Sequence, residues 1–372
     1  MRHRLGDVRV RRADADARAR GPRAALDREP AVAKLAAIRF ADGALWALDQ
    51  TALPWRESEL ELRSAADVAG AIRRLSIRGA PLIGVAAAYG VALELARDPE
   101  SLEAACALLA GARPTAVNLP RAVARVRGAV LACTADDDRQ EVALAQAREL
   151  HAQEEAASAA IGRHGADLLK GEGRVLTHCN TGALAAPGEG TALAIVAELA
   201  RRGELTLVLV AESRPLLQGA RLTVYELRRL GIAHELIVDG AAAGLIAAGE
   251  VDAVVVGCDR VAANGDVANK VGTYAHALAA AAAQIPFVVA GPCTTIDAGC
   301  PTGFGIVVEE RDCEEVRSLA WAPDVELTIP GTACRNPAFD VTPAALVTAL
   351  VTERGVASPV TSESVAALLS AG

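Results

Sequence analysis

Two side chains at the ends of two apolar runs carry the chemistry open to this chain. Cys179 closes Arg174-Val175-Leu176-Thr177-His178-Cys179, and Asp259 follows Val254-Val255-Val256-Gly257-Cys258. Each run has the Val and Leu content of a buried strand, and each leads into loop sequence rich in Gly and Asn. In an open α/β sheet, ligands bind beyond the carboxyl ends of the strands. A thiol and a carboxyl delivered to that edge make a proton-handling pair.

Four further groupings fall near predicted strand ends or helix starts. In Arg78-Gly79-Ala80-Pro81 the glycine permits close backbone approach and the proline suits a first helical turn. Backbone N–H groups there, with the Arg, suit an anion, although an ordinary helix start reads the same way. Arg113, held against Pro114 in Gly111–Leu119, is stiffer than an Arg on a helix face and suits a bidentate phosphate contact. In Glu212–Arg221, Arg214 and Gln218 lie four apart and share a face if a helix starts at Pro215. Beyond Asp259, the turn Asn264-Gly265-Asp266 precedes Asn269-Lys270, which is expected to open a helix. Lys270 offers a point charge for phosphate and Asn269 amide hydrogen bonds. The Gly-rich stretch from Cys179-Asn180-Thr181-Gly182 to Gly188-Glu189-Gly190-Thr191 suits a polar or anionic ligand. A helix N-terminus near Cys179 would favour its thiolate. Each feature has a plainer alternative: an N-cap for Asp259, a buried core thiol for Cys179, a surface cation for each Arg. Their gathering at several strand ends favours the functional reading.

The elements that must position these residues change character along the chain. Residues 1–30 mix nine Arg with Ala and Asp and show no apolar period, which reads as a disordered tail. A nucleic-acid-binding arm, or translation starting instead at Val32, are the other readings of that stretch. Residues 31–150 read as a mostly helical domain. Its small hairpin turns at Asp42-Gly43, and its helices cover Ser64–Leu75, Pro81–Leu95, Leu102–Leu109, Leu119–Ala132 and the start of a long helix from Asp138 to Leu169. Residues 151–372 read as a Rossmann-like, doubly wound parallel sheet. The strands expected are Arg174–His178, Leu205–Ala211, His234–Val238, Ala253–Gly257, Pro286–Ala290 and Gly305–Val308. Helices are expected between them at Thr191–Arg202, Leu216–Leu230, Ala241–Ala248 and Asn269–Ala283. No G-x-G-x-x-G follows a strand and no G-x-x-x-x-G-K-[ST] occurs, so neither dinucleotide nor ATP binding is supported.

Composition excludes other classes. A hydrophobic content of 52% against 23% charged supports a large core. Three Tyr, three Trp and four Phe are too few for a base-stacking surface, and a net charge of −8 opposes general binding to nucleic acid. No apolar run reads as a membrane span and no secretory signal is recognisable, so a cytoplasmic protein is expected. The eight cysteines form no C-x-x-C pair, which fits free thiols and no metal site.

Taken in order, these segments resemble the methylthioribose-1-phosphate isomerases, whose fold is shared with regulatory subunits of the eukaryotic initiation-factor nucleotide-exchange complex. The resemblance runs from about Leu35 to Val356. It rests on L-D-Q-T-A-L-P, R-G-A-P, R-P-T-A-V-N-L, T-H-C-N-T-G, R-P-L-L-Q-G-A-R-L-T, N-P-A-F-D-V-T-P and above all Asp259–Tyr274. It implies substrate binding by Arg78, Gly79, Ala80, Arg113, Gln218, Asn269 and Lys270, with Asp259 as proton donor and Cys179 as transition-state partner. It also implies an aldose 1-phosphate substrate, a ketose 1-phosphate product, no metal or redox cofactor, and a homodimer. Phosphate blocks the anomeric oxygen, so ring opening needs an acid at the ring oxygen. Hydrogen then moves from C2 to C1 as a proton through an enediol, or as a hydride; both stay open. Gly240, where the family usually has Asn, and Glu189, in an altered loop, leave the group at sugar C5 open: methylthio, methyl or another substituent. A ribose 1,5-bisphosphate isomerase and a non-catalytic regulatory subunit are the other readings.

Overall fold

The computed structural model describes residues 35–370, except 114–116, 135–136 and 320–321. The expected tail at residues 1–30 lies outside the described residues.

The chain opens with a three-stranded antiparallel sheet, β1 (Ile38–Ala41), β2 (Ala44–Leu48) and β3 (Glu59–Leu62). Asp42 and Gly43 form its first turn at φ 52° and 69°, the left-handed pair that matches strand twist. The third strand was not legible in advance. Five helices follow: α1 (Ala65–Arg73), α2 (Ala80–Arg97), α3 (Leu102–Ala110), α4 (Asn118–Leu131) and α5 (Arg139–Leu168). Ser64 caps α1 through the Asp67 N–H, and Asp138 caps α5 through the N–H groups of Gln140 and Glu141. Helix α2 is, by length and composition alone, apolar enough to cross a membrane. Here 15 of its 18 residues are buried, packed against α1, α3, α4 and α5, so it serves as a core helix.

The second half alternates strands and helices: β4 (Arg174–Thr177), α6 (Ala192–Arg201), β5 (Leu207–Ala211), α7 (Val224–Arg229), β6 (His234–Ile237), α8 (Ala242–Ala247), β7 (Ala253–Val256), β8 (Arg260–Ala262), β9 (Val267–Lys270), α9 (Thr273–Ala283) and β10 (Phe287–Ala290). Then come β11 (Ile296–Asp297), α10 (Glu314–Arg317), β12 (Ser318–Leu319), β13 (Ala322–Glu326), β14 (Phe339–Thr342), β15 (Ala349–Thr352), β16 (Gly355–Ala357) and α11 (Ser362–Ser370). The main sheet has the order β16-β15-β10-β7-β4-β5-β6, parallel except for β16 at one edge. The mixed α/β class, with a helical N-terminal part and a doubly wound sheet, is the expected one. A smaller sheet, β11-β8-β9-β14, stands beside it.

Three expected elements differ. Residues 305–308 form no strand; a short 3-10 turn at Gly303–Gly305 stands there, and β15 and β16 complete the sheet instead. Asn269 and Lys270 end strand β9, and the helix starts only at Thr273. Residues 214–217 form a turn, so Arg214 and Gln218 do not share a helical face. Arg214 donates instead to the carbonyls of Pro215 and Val316.

Candidate active site

The topology fixes where a ligand can sit. From central β4 the chain winds outward through β5 and β6, then returns to β7 on β4's other side and winds outward again through β10 and β15. The strand order therefore reverses between β4 and β7, which pair directly as Val175–Ala253 and Leu176–Val254. The crevice beyond the carboxyl ends of two such strands is the binding position of open α/β sheets. Cys179 follows β4 there and Asp259 follows β7.

All nine residues singled out from sequence line two adjoining lobes of this crevice. Arg78, Gly79, Cys179 and Asp259 face both lobes. Arg113, Gln218 and Lys270 line the first, with Arg311, Leu75, Leu216 and Phe339. Ala80 and Asn269 line the second, with Asn180, Thr181, Thr191, Ala185 and Ala186. A more open hollow elsewhere, between α6 and residues 230–233, contains none of the nine. Glu189 lies at that hollow, ion-paired with Arg201 at 2.5 Å, so it does not charge the crevice in the way its sequence position suggested.

Cys179 is buried and held in the left-handed region at φ 63°, a conformation that costs a non-Gly residue about 1–3 kcal/mol. Its N–H donates to Ser213 Oγ at 2.7 Å, and its carbonyl accepts from Thr223 Oγ1 at 2.6 Å. These bonds tie the β4 end to the segments before and after the turn at 214–217. The helix after Cys179 starts only at Ala192, so the thiol is not at a helix N-terminus. His178 lies beneath, fully buried: its Nε2 faces the Val271 carbonyl at 2.9 Å and its Nδ1 faces Ser213 Oγ at 3.2 Å. Burial holds its pKa down at about 4, so the ring is neutral at pH 7.

Asp259 is recessed below the surface but opens onto both lobes. Burial pushes its carboxyl above the usual range. Arg113, Lys270 and Arg78 pull it back down, and Glu309 adds to the rise. The neighbouring Cys258 is turned toward Thr295 Oγ1 at 3.4 Å, and burial pushes its thiol up to about 12. Lys270 is buried, its Nζ 5.5 Å from the centre of the Phe339 ring, because β9 and β14 pair Lys270 with Phe339. Burial lowers its pKa, while Cys179 and Asp259 oppose the drop.

The Arg78 segment approaches as sequence suggested, by a particular route. Gly79 caps α2 at φ 98°, and a Cβ there would come within 2.3 Å of the Ala185 carbonyl oxygen. The Leu82 N–H is already taken by that carbonyl, at 3.2 Å, and Pro81 has none. Arg78 donates to Asn180 Oδ1 at 2.5 Å and to the Asn180 carbonyl at 2.9 Å. Asn180 Nδ2 donates to Glu226 Oε1 at 2.7 Å, and Ala183 N–H to Glu226 Oε2 at 2.7 Å. Glu226 thus sets the Asn180 amide, which sets Arg78. It is fully buried, and burial pushes its carboxyl up to about 7.

Sequence reasoning missed Glu226, Arg311 and Phe339 as site residues. Glu226 looks like one face of an ordinary helix. Arg311 sits in E-E-R-D-C-E-E, which reads as a solvated charge run. It is bracketed by Glu315, with Nε at 2.9 Å and 3.0 Å, and by Glu309, with Nη1 at 2.9 Å. Among the described residues, no group of three or more His, Cys, Asp or Glu side chains is placed to hold a metal.

Comparison with known proteins supplies the lineage. Residues 76–359, most of the chain, match the model of the initiation factor 2 subunit family. The chain belongs to that family. Within it, the chain is 54% identical over 311 residues to a protein of Anaeromyxobacter sp. (strain K) named methylthioribose-1-phosphate isomerase, covering 83% of this chain and 89% of that one. It is 46% identical over 346 residues to a protein of Moorella thermoacetica named 5-deoxyribose 1-phosphate isomerase, covering 90% and 97%. The crystal structure of 5-methylthioribose 1-phosphate isomerase from Pyrococcus horikoshii OT3 matches with a TM-score of 0.83 at 34% identity, covering 94% of this chain and 98% of that one. The fold expected from the resemblance is therefore the fold of the family.

Proposed function

We propose that this chain is an aldose-ketose isomerase that converts 5-methylthioribose 1-phosphate to 5-methylthioribulose 1-phosphate. The observation that carries the reading is the convergence of Cys179 and Asp259 at the point where the strand order reverses, beside Arg113 and Lys270 in one lobe. The isomerase relatives, similar along most of their length, support it.

Each residue has a defined task. Arg113 and Lys270 hold the phosphate by charge, and Gln218 and Asn269 hold substrate oxygens. Asp259, kept protonated more readily than a solvated carboxyl, gives its proton to the ring oxygen as the C1–O bond opens. Hydrogen then passes from C2 to C1 while the C2 hydroxyl becomes the carbonyl, so substrate and product are isomers. On the proton route the Cys179 thiolate takes the C2 proton and an enediol forms. On the hydride route Cys179 and Asp259 polarise the oxygens. Substrate deuterated at C2 tests the hydride route: extensive washout into water during turnover contradicts it, whereas retention fits either route. The Moorella thermoacetica relative favours a second reading, in which the C5 substituent is plain methyl. Relative kcat/KM for the two sugars decides between them. A cytoplasmic homodimer completes the proposal, and light scattering that shows a monomer at working concentration would remove its dimer part.

A further inference from the structure

The crevice contains a polar group that no role above uses. Thr181 is 7% exposed, and its Oγ1 finds no hydrogen-bond partner among the described residues. The side chain is nonetheless fixed. Its carbonyl accepts from Thr191 N–H at 2.7 Å, and its Cγ2 lies against Gly257, where an added Cβ would stand 2.6 Å away. Nearby amides are engaged elsewhere: Asn180 Nδ2 by Glu226, and Asn269 Nδ2 by Thr273 Oγ1 at 2.9 Å. A buried hydroxyl without a partner costs free energy, so such a group in a crevice points to a ligand atom that completes it. Gln218 Oε1 stands in the same position in the first lobe, buried and without a partner among the described residues. The two atoms belong to the lobes that meet at Cys179 and Asp259.

The charges say what Thr181 meets. Arg113, Lys270 and Arg311 line only the first lobe. The second has Arg78 alone as a cation, already engaged by Asn180, and apart from Asp259, which it shares with the first, is lined by small and uncharged side chains. Arg311 is paired with Glu315 and Glu309, so a phosphate belongs with Lys270 and Arg113 in the first lobe, which leaves the sugar to the second. A threonine hydroxyl can both give and accept a hydrogen bond, as a sugar hydroxyl can.

We infer that Thr181 is a substrate-contacting residue, its Oγ1 hydrogen-bonded to a ring hydroxyl of the bound sugar phosphate beside Asp259. This rests on the isomerase reading and deepens it.

The test is Thr181→Val, which keeps the branched shape against Gly257 and removes the hydroxyl, beside Thr181→Ser, which keeps the hydroxyl. The readouts are kcat/KM for methylthioribose 1-phosphate, competitive inhibition by inorganic phosphate, and Tm without ligand. The expected result for Thr181→Val is a loss of about 10–100-fold in kcat/KM, phosphate inhibition within about twofold of wild type, and a Tm unchanged or raised. Thr181→Ser retains most of the activity. A Thr181→Val enzyme with wild-type kcat/KM overturns the inference, as does a fall in Tm that Thr181→Ser shares. Weakened phosphate inhibition in step with kcat/KM overturns it too, by moving the contact to the phosphate. A wild-type protein inactive on every sugar phosphate tried would sink the isomerase reading and this inference together. Wild-type turnover with an unaffected Thr181→Val sinks the inference alone.

Discussion

Replacing Gly79 by Ala should damage this protein far more than the loss of two hydrogens suggests. At φ 98° an L side chain is strained by about 1–3 kcal/mol. The new Cβ would stand 2.3 Å from Ala185 O and 2.5 Å from Ala185 Cα, both backbone atoms, so one loop must withdraw by roughly 1 Å to reach ordinary contact. Withdrawal also weakens the 3.2 Å bond from Leu82 N–H to the Ala185 carbonyl, about 1 kcal/mol. Lower entropy of the unfolded chain returns about 0.5–1 kcal/mol. The net loss is about 1–3.5 kcal/mol, read as a fall in the urea midpoint at unchanged m-value. Because Gly79 faces both lobes, a shift of that size should also cost about 100-fold in kcat/KM. Gly240→Ala is the control: nothing lies within 4 Å of its Cβ position, so it should stay within about 0.5 kcal/mol of wild type. A Gly79→Ala protein as stable and as active as Gly240→Ala would refute the reasoning that the contact between residues 79 and 185 builds the crevice.

Acid should destabilise the protein through His178. The unfolded side chain titrates near 6.5 and the buried one at about 4, so the unfolded state binds the proton first. Stability is full above 6.5 and is lost as pH falls toward 4, by roughly 3 kcal/mol; denaturant melts of wild type and His178→Asn across that window should differ in slope. His276, whose ring centre is 4.8 Å from that of His178 and whose pKa burial holds at about 3, contributes in the same direction. Lys270→Ala should raise KM for the sugar phosphate about 10–100-fold with a smaller change in kcat, as expected for a phosphate contact made in both ground and transition state. Steady-state kinetics that show only a fall in kcat would contradict that role.

The fold was legible where patterns were local. The Asp42-Gly43 turn, the Val-rich strands β4, β5, β7 and β10, and the long helix α5 all carry their period in sequence. The start of α9 was not legible: Asn269 and Lys270 flank a helix but are claimed by pairing with Asp340 and Phe339, some 70 residues away. Residues 305–308 look apolar enough for a strand, yet the sheet edge is taken by β15 and β16. The candidate site was legible as a set because its members fall in recognisable motifs, most of them at a strand end or helix start and Arg113 in the loop between α3 and α4. Its supporting members were not. Glu226 acts on Arg78 only through Asn180, and Arg311 reaches the crevice because its segment is strapped to residues 336–338, where Arg311 N–H donates to the Asn336 carbonyl at 2.9 Å. No local pattern records either relation.

The most direct measurement is turnover of methylthioribose 1-phosphate by wild type, Asp259→Asn and Cys179→Ala, across pH. The account predicts measurable wild-type turnover that declines on the alkaline side as Asp259 loses its proton, at a pH above that of an ordinary carboxyl. It predicts a loss of about 100–10,000-fold in each variant, with the fold retained by circular dichroism. Wild-type rates in Asp259→Asn would contradict the proton-donor role at the centre of the account. No turnover of this sugar, of 5-deoxyribose 1-phosphate or of ribose 1,5-bisphosphate would return the chain to the regulatory-subunit reading.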